Sequence, residues 1–252
     1  MKPPGFVGGL PARLCLTLLA CNLGWAALGA VYPFADNGGG NYSAGASGFA
    51  QTIPDNNPSG VGFLLSFGAA GKTISSLNVT FTISGGQNGD LYAYLSHGSG
   101  TLVLLNRVGV ANGTSGSTLF NYGYSGSGFN NITLSDGGAG NIHNYGGSTL
   151  NSVPMPGTYK PDGQTASPLT APTDFNAGGG SATFANTFGG TDPNGNWVLF
   201  FSDVSGGSVA TLDSWSVGIN AVPEPMNVAL GVFGLLFVTM NVLRFCRQQT
   251  PR

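Results

Sequence analysis

The side chains that could carry acid–base chemistry are few in this 252-residue chain, whose two histidines are His97 and His143. A serine hydrolase would need one of them beside a serine and a carboxylate, but no Gly-x-Ser-x-Gly nucleophile motif is present. Both histidines lie among glycine and turn residues, so we predict that they are solvated loop residues. The sequence names no catalytic residue and predicts a non-enzymatic protein, and a hydrolase that depends on either histidine is the least favoured alternative.

Carboxylates outnumber cations in the central part of the chain. Nine aspartates and no glutamate lie between Val31 and Ala221, against Lys72, Arg107 and Lys160. Such a surplus of hard oxygen ligands could bind calcium, although aspartate is also a preferred turn residue. The sequence leaves calcium open as a cofactor and names no metal ligand. It predicts no nucleic-acid partner, because no basic stripe is available to neutralise phosphates.

Thiol, zinc and glycosidase chemistry are not expected. The three cysteines, Cys15, Cys21 and Cys246, lie in the terminal apolar segments, so the central part has no disulfide framework. It also has too few histidines and cysteines for a zinc site. No pair of aspartates can be singled out for the paired-carboxylate work of a glycosidase.

The composition predicts an all-β fold. The chain holds 43 glycines, 15 prolines and only 7% charged residues, where an ordinary soluble domain carries about 25% charged residues. Yet 41% of its residues are hydrophobic, which is enough to offset the entropy of ordering a core. Short strands joined by glycine-rich turns account for both properties.

Alternating apolar residues locate the strands of a single antiparallel sandwich over residues 53–220. Leu77, Val79, Phe81 and Ile83 recur with the two-residue period of a strand. Further segments predicted as strands are 61–67, 91–95, 102–105, 129–134, 182–188, 197–201 and 215–219. Residues 31–52 are rich in glycine and small polar residues, and we predict that they form a flexible lead.

The N-terminal 30 residues have the order of a secretory signal peptide. Lys2 and Arg13 precede an apolar run that begins at Leu14, and small residues follow it. A positive flank, a short apolar core and a small-residue exit predict export and removal of residues 1–30. Lipidation at Cys21, which follows Leu-Leu-Ala, is left open as a minor alternative.

The C-terminal residues 222–252 form a second predicted targeting segment. Val222-Pro223-Glu224-Pro225 precedes an apolar stretch, and its part over 228–243, interrupted only by Thr239 and Asn241, would span about 24 Å as a helix. Arg244 and Arg247 follow in a basic tail that is expected to stay on the cytoplasmic side of a membrane. The sequence therefore predicts a transmembrane helix at the C-terminus, with the preceding chain outside.

This order of motif, apolar helix and basic tail resembles the PEP-CTERM sorting signal of exopolysaccharide-producing bacteria. The resemblance covers residues 222–247. It implies that an exosortase, a membrane cysteine transpeptidase-like enzyme, processes the chain near the four-residue motif. The membrane would then be a stage in export, and without processing the segment would be a simple anchor.

A second resemblance covers about residues 53–220, which are similar to the P (Homo B) domain that accompanies proprotein convertases. It rests on Ile53-Pro54-Asp55, Gly89-Asp90-Leu91, Gly195-Asn196-Trp197 and Leu212-Asp213-Ser214-Trp215-Ser216. The family is a jelly-roll sandwich, so the resemblance implies that fold. The chain departs from the family in the Ser-Gly-Gly at 84–86, where the family has His-Thr, and in a glycine-rich insertion over 109–151.

Together these features predict an exported, non-catalytic protein of the cell surface or extracellular matrix. Its expected route runs from an inner-membrane-anchored precursor to the cell envelope, and its sandwich would act as a structural or interaction module. The alternative is a carbohydrate- or calcium-binding lectin-like module, since loops on a rigid sandwich are where ligands bind. The expected partners are an exosortase-like enzyme, the membrane, and exopolysaccharide or surface glycans.

Overall fold

Two β-sheets packed face to face form the body of the protein in the computed structural model, which describes residues 30–111 and 122–248. The five-stranded sheet consists of β1 (Val31–Pro33), β4 (Asn57–Phe67), β6 (Leu91–His97), β7 (Gly100–Asn106) and β10 (Gly195–Asp203), in the order β1–β4–β10–β6–β7. The six-stranded sheet consists of β2 (Ala35–Asp36), β3 (Asn41–Ile53), β5 (Lys72–Gly85), β8 (Phe129–Ser135), β9 (Gly157–Tyr159) and β11 (Ala210–Pro223), in the order β2–β3–β11–β5–β8–β9.

The last strand, β11, is the centre of the six-stranded sheet. It pairs antiparallel with β3 on one side and with β5 on the other, so that Trp215 faces Ala46 and Phe81. Its side chains alternate, and Trp215, Val217 and Ile219 are buried. The strand that completes the sheet is therefore the one that comes last in the sequence.

Aromatic side chains join the two sheets. The ring centroids of Phe63 in β4 and Trp215 in β11 are 5.0 Å apart, and those of Phe81 in β5 and Phe201 in β10 are 5.8 Å apart. Such tilted and edge-to-face pairs add to the stabilisation that comes from burying the rings themselves. The all-β sandwich predicted from the alternating pattern is confirmed.

The structure corrects the predicted limits of the sandwich. Residues 31–52 are not a flexible lead, since they form β1, β2 and most of β3. Pairing with β11 satisfies the backbone of β3, and Tyr42 and Ala44 are buried, so a glycine-rich segment is ordered by its neighbours. The sheets are also not wholly antiparallel, because β1 pairs parallel with β4 and β8 pairs parallel with β9.

The strand predicted over 182–188 is wrong, because Phe184–Phe188 is a short helix, α1. Thr183 caps it, with its Oγ1 accepting from Asn186 N at 3.1 Å. Asp136 adds a cap from far along the chain, since its carboxylate accepts from the backbone N–H groups of Phe184 and Ala185. The buried rings at its two ends had given the segment the apolar character of a strand.

A second helix, α2 (Pro225–Gln248), follows β11 and confirms the helix predicted for the C-terminus. Within the part of the chain that the structure describes, no helix meets the length and hydropathy required of a membrane span. Crossing of a membrane by this segment stays a prediction. The signal peptide predicted at 1–30 lies, up to residue 29, outside the described residues.

Candidate functional site

The sorting motif predicted at Val222-Pro223-Glu224-Pro225 is divided between a strand and a helix. Val222 and Pro223 are the last residues of β11 and pair with Thr73 and Lys72 of β5. Glu224 alone separates β11 from α2, which begins at Pro225. The motif therefore joins the centre of the six-stranded sheet to the C-terminal helix through one residue.

The apolar side chains of α2 make it unlike the other elements that the structure describes. Every side chain from 229 to 244 is exposed, and the exposed fractions of Leu230, Phe233 and Phe237 are 72%, 69% and 66%. A helix with apolar side chains on all its faces is typical of an apolar environment rather than of a protein surface in water. Arg244 of the predicted basic tail is also exposed, near the end of α2, and Arg247 lies in its last turn.

The polar side chains inside this apolar stretch bond to the helix itself. The Thr239 hydroxyl lies 3.0 Å from the carbonyl oxygen of Leu235, and the Asn241 amide donates to the carbonyl oxygen of Phe237 at 2.8 Å. Side-chain groups that return their hydrogen bonds to the helix backbone need no water. The Thr239 hydroxyl and the Asn241 amide N–H thus find their acceptors within α2.

The histidine predicted to be a solvated residue of a glycine-rich loop, His143, is fully buried. Its Nδ1 lies 2.7 Å from Asp162 Oδ2, and its Nε2 lies 2.7 Å from the carbonyl oxygen of Val110. Two acceptors, the Asp162 carboxylate and the Val110 carbonyl, favour the doubly protonated imidazolium, which donates from both ring nitrogens. The side-chain nitrogen of Gln164 also lies 3.1 Å from Nδ1. Burial acts to lower the pKa of His143, but the hydrogen bond and charge of Asp162 outweigh it, so that this pKa is raised.

This histidine–carboxylate pair does not form a hydrolase triad. In a triad, one ring nitrogen is held by the carboxylate and the other faces the nucleophilic hydroxyl. Here the second position is occupied by the carbonyl of Val110, and Asp162 also accepts from Asn106 N at 3.1 Å. The geometry is that of a buried ion pair that ties the segments around residues 106–110, 143 and 162 together.

The other histidine, His97, is the half-buried last residue of β6, beside the β6–β7 turn, and not the solvated loop residue that was predicted. Its ring stacks on Trp197 with centroids 4.1 Å apart and an interplanar angle of 5°. Its two ring nitrogens lie 2.9 and 3.0 Å from the carbonyl oxygens of Asn196 and Asp192. The ring therefore fastens the turn before β10 to the hairpin.

A cleft of about 390 Å³ opens among the loops at one end of the sandwich. It is lined by Gln87, Asp90, Tyr122, Gly123, Ser125, Leu150, Ser205 and Gly206. The Tyr122 side chain is 67% exposed, whereas Asp90 is buried. An exposed ring beside a carboxylate, an amide and two hydroxyls combines a stacking surface with fixed hydrogen-bonding groups.

The frame of this cleft is closely packed backbone. Gly89 N donates to Tyr124 O at 2.8 Å, and Asn88 N donates to Gly126 O at 2.9 Å. A Cβ on Gly89 would lie 2.3 Å from the carbonyl oxygen of Tyr122, so the two loops touch at a distance that only glycine permits. The polar groups of the cleft are held in place by this contact.

Three carboxylates, Asp55, Asp90 and Asp203, lie close together beside the cleft. Asp203 is fully buried; its Oδ1 accepts from Ser205 N at 3.2 Å, and its Oδ2 has no hydrogen-bond partner among the described residues. Burial, with the charges of Asp90 and Asp55 added, raises the pKa of Asp203 to about 6. Burial also raises the pKa of Asp90, against the opposing charge of Arg107.

No metal centre is found among the residues that the structure describes, where no group of three or more His, Cys, Asp or Glu side chains is placed to hold an ion. Calcium binding stays a prediction of the sequence. The cleft could not be predicted from the sequence, because its lining residues come from distant segments. The pair Gly89-Asp90, which is typical of a turn, nevertheless indicates one of the loops that form the cleft.

No protein-family model matches this chain, and no curated protein matches it.

Proposed function

We propose that this protein is an exported, non-catalytic surface or extracellular-matrix protein whose sandwich is held at a membrane by α2 and then released by processing at its C-terminal motif. The observation that carries this proposal is the exposed apolar surface of α2, joined to a folded body by Glu224 alone. At about 25 cal/mol per Å² of apolar surface removed from water, a helix of this kind strongly favours a bilayer or another apolar partner.

The resemblances extend the same proposal. Likeness to the PEP-CTERM signal makes an exosortase-like enzyme the processing partner and Val222, Pro223, Glu224 and Pro225 the recognised motif. Likeness to the P domain makes the sandwich a jelly roll that acts as a structural or interaction module. The route then runs from an inner-membrane precursor to the cell envelope or matrix.

The test is the fate of the C-terminus in the native host. Membranes and culture medium are separated, and the protein in each fraction is measured by intact-mass spectrometry. We expect the full C-terminal helix in the membrane fraction and a shorter chain, lacking α2, in the surface or medium fraction. Recovery of only full-length chain from the medium would contradict membrane attachment and release together.

A second candidate function, glycan binding, is favoured by the composition and position of the cleft. Tyr122 offers a ring for stacking against a sugar, and Gln87, Ser125 and Ser205 offer amide and hydroxyl groups. The cleft lies at the Ala210 end of β11, opposite the end that leads to α2. The fourteen residues of β11 separate the two ends by about 45 Å, so a membrane-held body would present the cleft outward.

Glycan-array binding of the isolated body, with and without calcium, tests this second candidate. Tyr122→Ala is expected to abolish binding to whichever neutral glycans the parent protein retains. Leu169→Ala removes a similarly exposed side chain elsewhere, since Leu169 is 59% exposed, and is expected to leave binding unchanged. A flat array for the parent protein would remove the glycan-binding proposal and leave the export proposal standing.

A further inference from the structure

The bond at which the body can be released is defined by how β11 ends. Ala221 N donates to Gly40 O at 2.8 Å, and Glu224 N donates to Gly71 O at 3.1 Å. Between them, Val222 and Pro223 are paired with β5. The backbone is therefore engaged with its neighbours from the start of β11 up to the N–H of Glu224.

Release of β11 residues by a cut within the strand would disrupt the body. The strand lies between β3 and β5, and its removal would leave two separate halves of the six-stranded sheet. It would also remove Trp215, Val217 and Ile219 from the core. An endopeptidase binds its substrate as an extended strand with a free backbone, and β11 offers such a strand only if the sandwich opens.

The chain after Glu224 is easier to open. The first four N–H groups of an α-helix have no partner within the helix, and the first residue of α2, Pro225, has no N–H at all. Unwinding the first turn, 225–228, thus sacrifices fewer backbone hydrogen bonds than peeling an equal length of β11 from two neighbours. It also leaves the core of the sandwich intact.

We infer that the processing site is the link from Glu224 through the first turn of α2, residues 224–228, and that the released body keeps Val222 and Pro223 as the end of its central strand. The inference rests on the proposed function for the existence of a processing step in the cell. The accessibility of the link follows from the fold alone. The first half of the motif is then a part of the mature sheet, and only its second half is free to be cut.

Limited proteolysis of the full chain in lipid nanodiscs tests the inference without the native enzyme. A broad-specificity endopeptidase is added at low ratio, and the released body is measured by intact mass and by its thermal midpoint. We expect a body that ends between residues 224 and 228 and unfolds at the same temperature as the parent. Release by a first cut at or before residue 223, or cuts elsewhere with the link intact, would overturn the inference.

An insertion tests whether opening of the link limits the rate of cleavage. Gly-Ser-Gly placed between Glu224 and Pro225 lengthens the link and is expected to raise the rate of cleavage there about tenfold, since local opening becomes cheaper. The same insertion after Gly98 in the β6–β7 turn is the matched control, and it should leave the rate at the link unchanged. Equal rates in both variants would show that the link does not limit release.

The same mass measurement in host cells separates this inference from the proposed function. A mature C-terminus between residues 224 and 228 supports both. A helix that is never removed in the host, with normal cleavage in nanodiscs, contradicts the processing proposal while the accessible link is supported. A mature C-terminus at or before Pro223 supports processing and overturns the inference.

Discussion

His143 Nδ1 and Asp162 Oδ2 lie 2.7 Å apart with both side chains fully buried. Removing one member of a buried ion pair leaves the other charge uncompensated, which costs far more than the pair contributes. Because the second ring nitrogen also has an acceptor, the carbonyl of Val110, the pair is best satisfied as imidazolium and carboxylate. Its contribution to stability must therefore depend on pH.

Asp162→Asn is expected to lower the free energy of unfolding by about 3–5 kcal/mol near pH 6. The pKa of His143 in the folded protein is raised above its ordinary 6.5. The stabilisation from the pair is thus fully present below pH 6.5 and is lost as the pH rises through the higher folded pKa. Chemical denaturation at a series of pH values should show the deficit of the variant shrinking on the alkaline side.

The matched control for this prediction is Asp192→Asn. Asp192 is exposed, and its carboxylate accepts within its own turn from the backbone N–H and the side-chain amide of Asn194. Asp192→Asn should change the free energy of unfolding by less than about 0.5 kcal/mol at every pH. A deficit in Asp162→Asn that stays constant with pH would show that the pair does not titrate as an ion pair.

Asp203→Asn is expected to raise the free energy of unfolding at neutral pH, whereas Asp162→Asn lowers it. The folded pKa of Asp203, about 6, lies above its ordinary 3.8, so the folded state binds its proton more tightly. This group favours folding most below pH 3.8, and that advantage fades as the pH rises to about 6. The variant is therefore expected to be more stable than the parent by about 1–3 kcal/mol at pH 7.5.

Thermal unfolding of both proteins from about pH 4 to pH 8 checks the Asp203 prediction. The parent should gain stability relative to the variant as the pH falls through 6, and the two curves should converge toward the acid side. Asp36→Asn, at an exposed carboxylate that caps its own turn at Gly38, is the control. A variant that is less stable than the parent at pH 7.5 would mean that the charged carboxylate has a stabilising partner.

Apolar alternation predicted the strands that form the two facing sheets, because burial on one face leaves a two-residue period in the sequence. Leu77, Val79, Phe81 and Ile83 all lie buried in β5. Trp197–Phe201 lies within β10 as predicted, and 215–219 lies within β11. The pattern predicted these elements because their stability comes from the side chains themselves.

The elements that the sequence missed are ordered by backbone contacts with distant segments. In β3, Gly45 opposes Ser216 of β11, and a Cβ there would lie 2.6 Å from the carbonyl oxygen of Trp215. A glycine that signals flexibility in the sequence is here a requirement of close packing. The cap that Asp136 gives to α1, 48 residues away from Phe184, likewise leaves no local trace.

The buried His143–Asp162 pair and the cleft could not be predicted from the sequence, and the reason is the same for both. His143 stands in a run of glycine and asparagine that is typical of an exposed loop, and its partner Asp162 lies 19 residues further along. Within the insertion over 109–151, Tyr124, Phe129 and Ile142 are buried and belong to the core. Polar composition predicted a surface loop, whereas tertiary contacts make part of it interior.

Two tryptophans on facing sheets should respond differently to the same substitution. Trp197 Nε1 donates to Pro193 O at 2.9 Å, whereas Trp215 Nε1 is buried without an acceptor among the described residues. Trp197→Phe loses a hydrogen bond and leaves a carbonyl unpaired, which costs about 1–3 kcal/mol beyond the lost volume. Trp215→Phe removes an unsatisfied donor and should cost less than Trp197→Phe by about that amount, as measured by denaturant unfolding. Equal losses would indicate that Trp215 Nε1 has found an acceptor.

Gly60→Ala is expected to destabilise the sandwich by several kcal/mol. Gly60 has a φ of +47°, and a Cβ built there would lie 2.1 Å from the carbonyl oxygen of Phe201. The contact is with the backbone of the paired strand β10, which cannot rotate aside as a side chain can. Strain at the left-handed φ adds about 1 kcal/mol or more to this clash.

Gly68→Ala is the control for that last substitution, because Gly68 lies just past the end of β4 and a Cβ there would have no atom within 4 Å. It should leave the soluble yield and the thermal midpoint of the purified protein unchanged. Gly60→Ala should give insoluble protein or a midpoint lower by at least about 10 °C, as expected for a loss of several kcal/mol. A soluble Gly60→Ala variant with the parent midpoint would show that β4 and β10 can separate locally, and would contradict the close pairing of the two strands at Gly60.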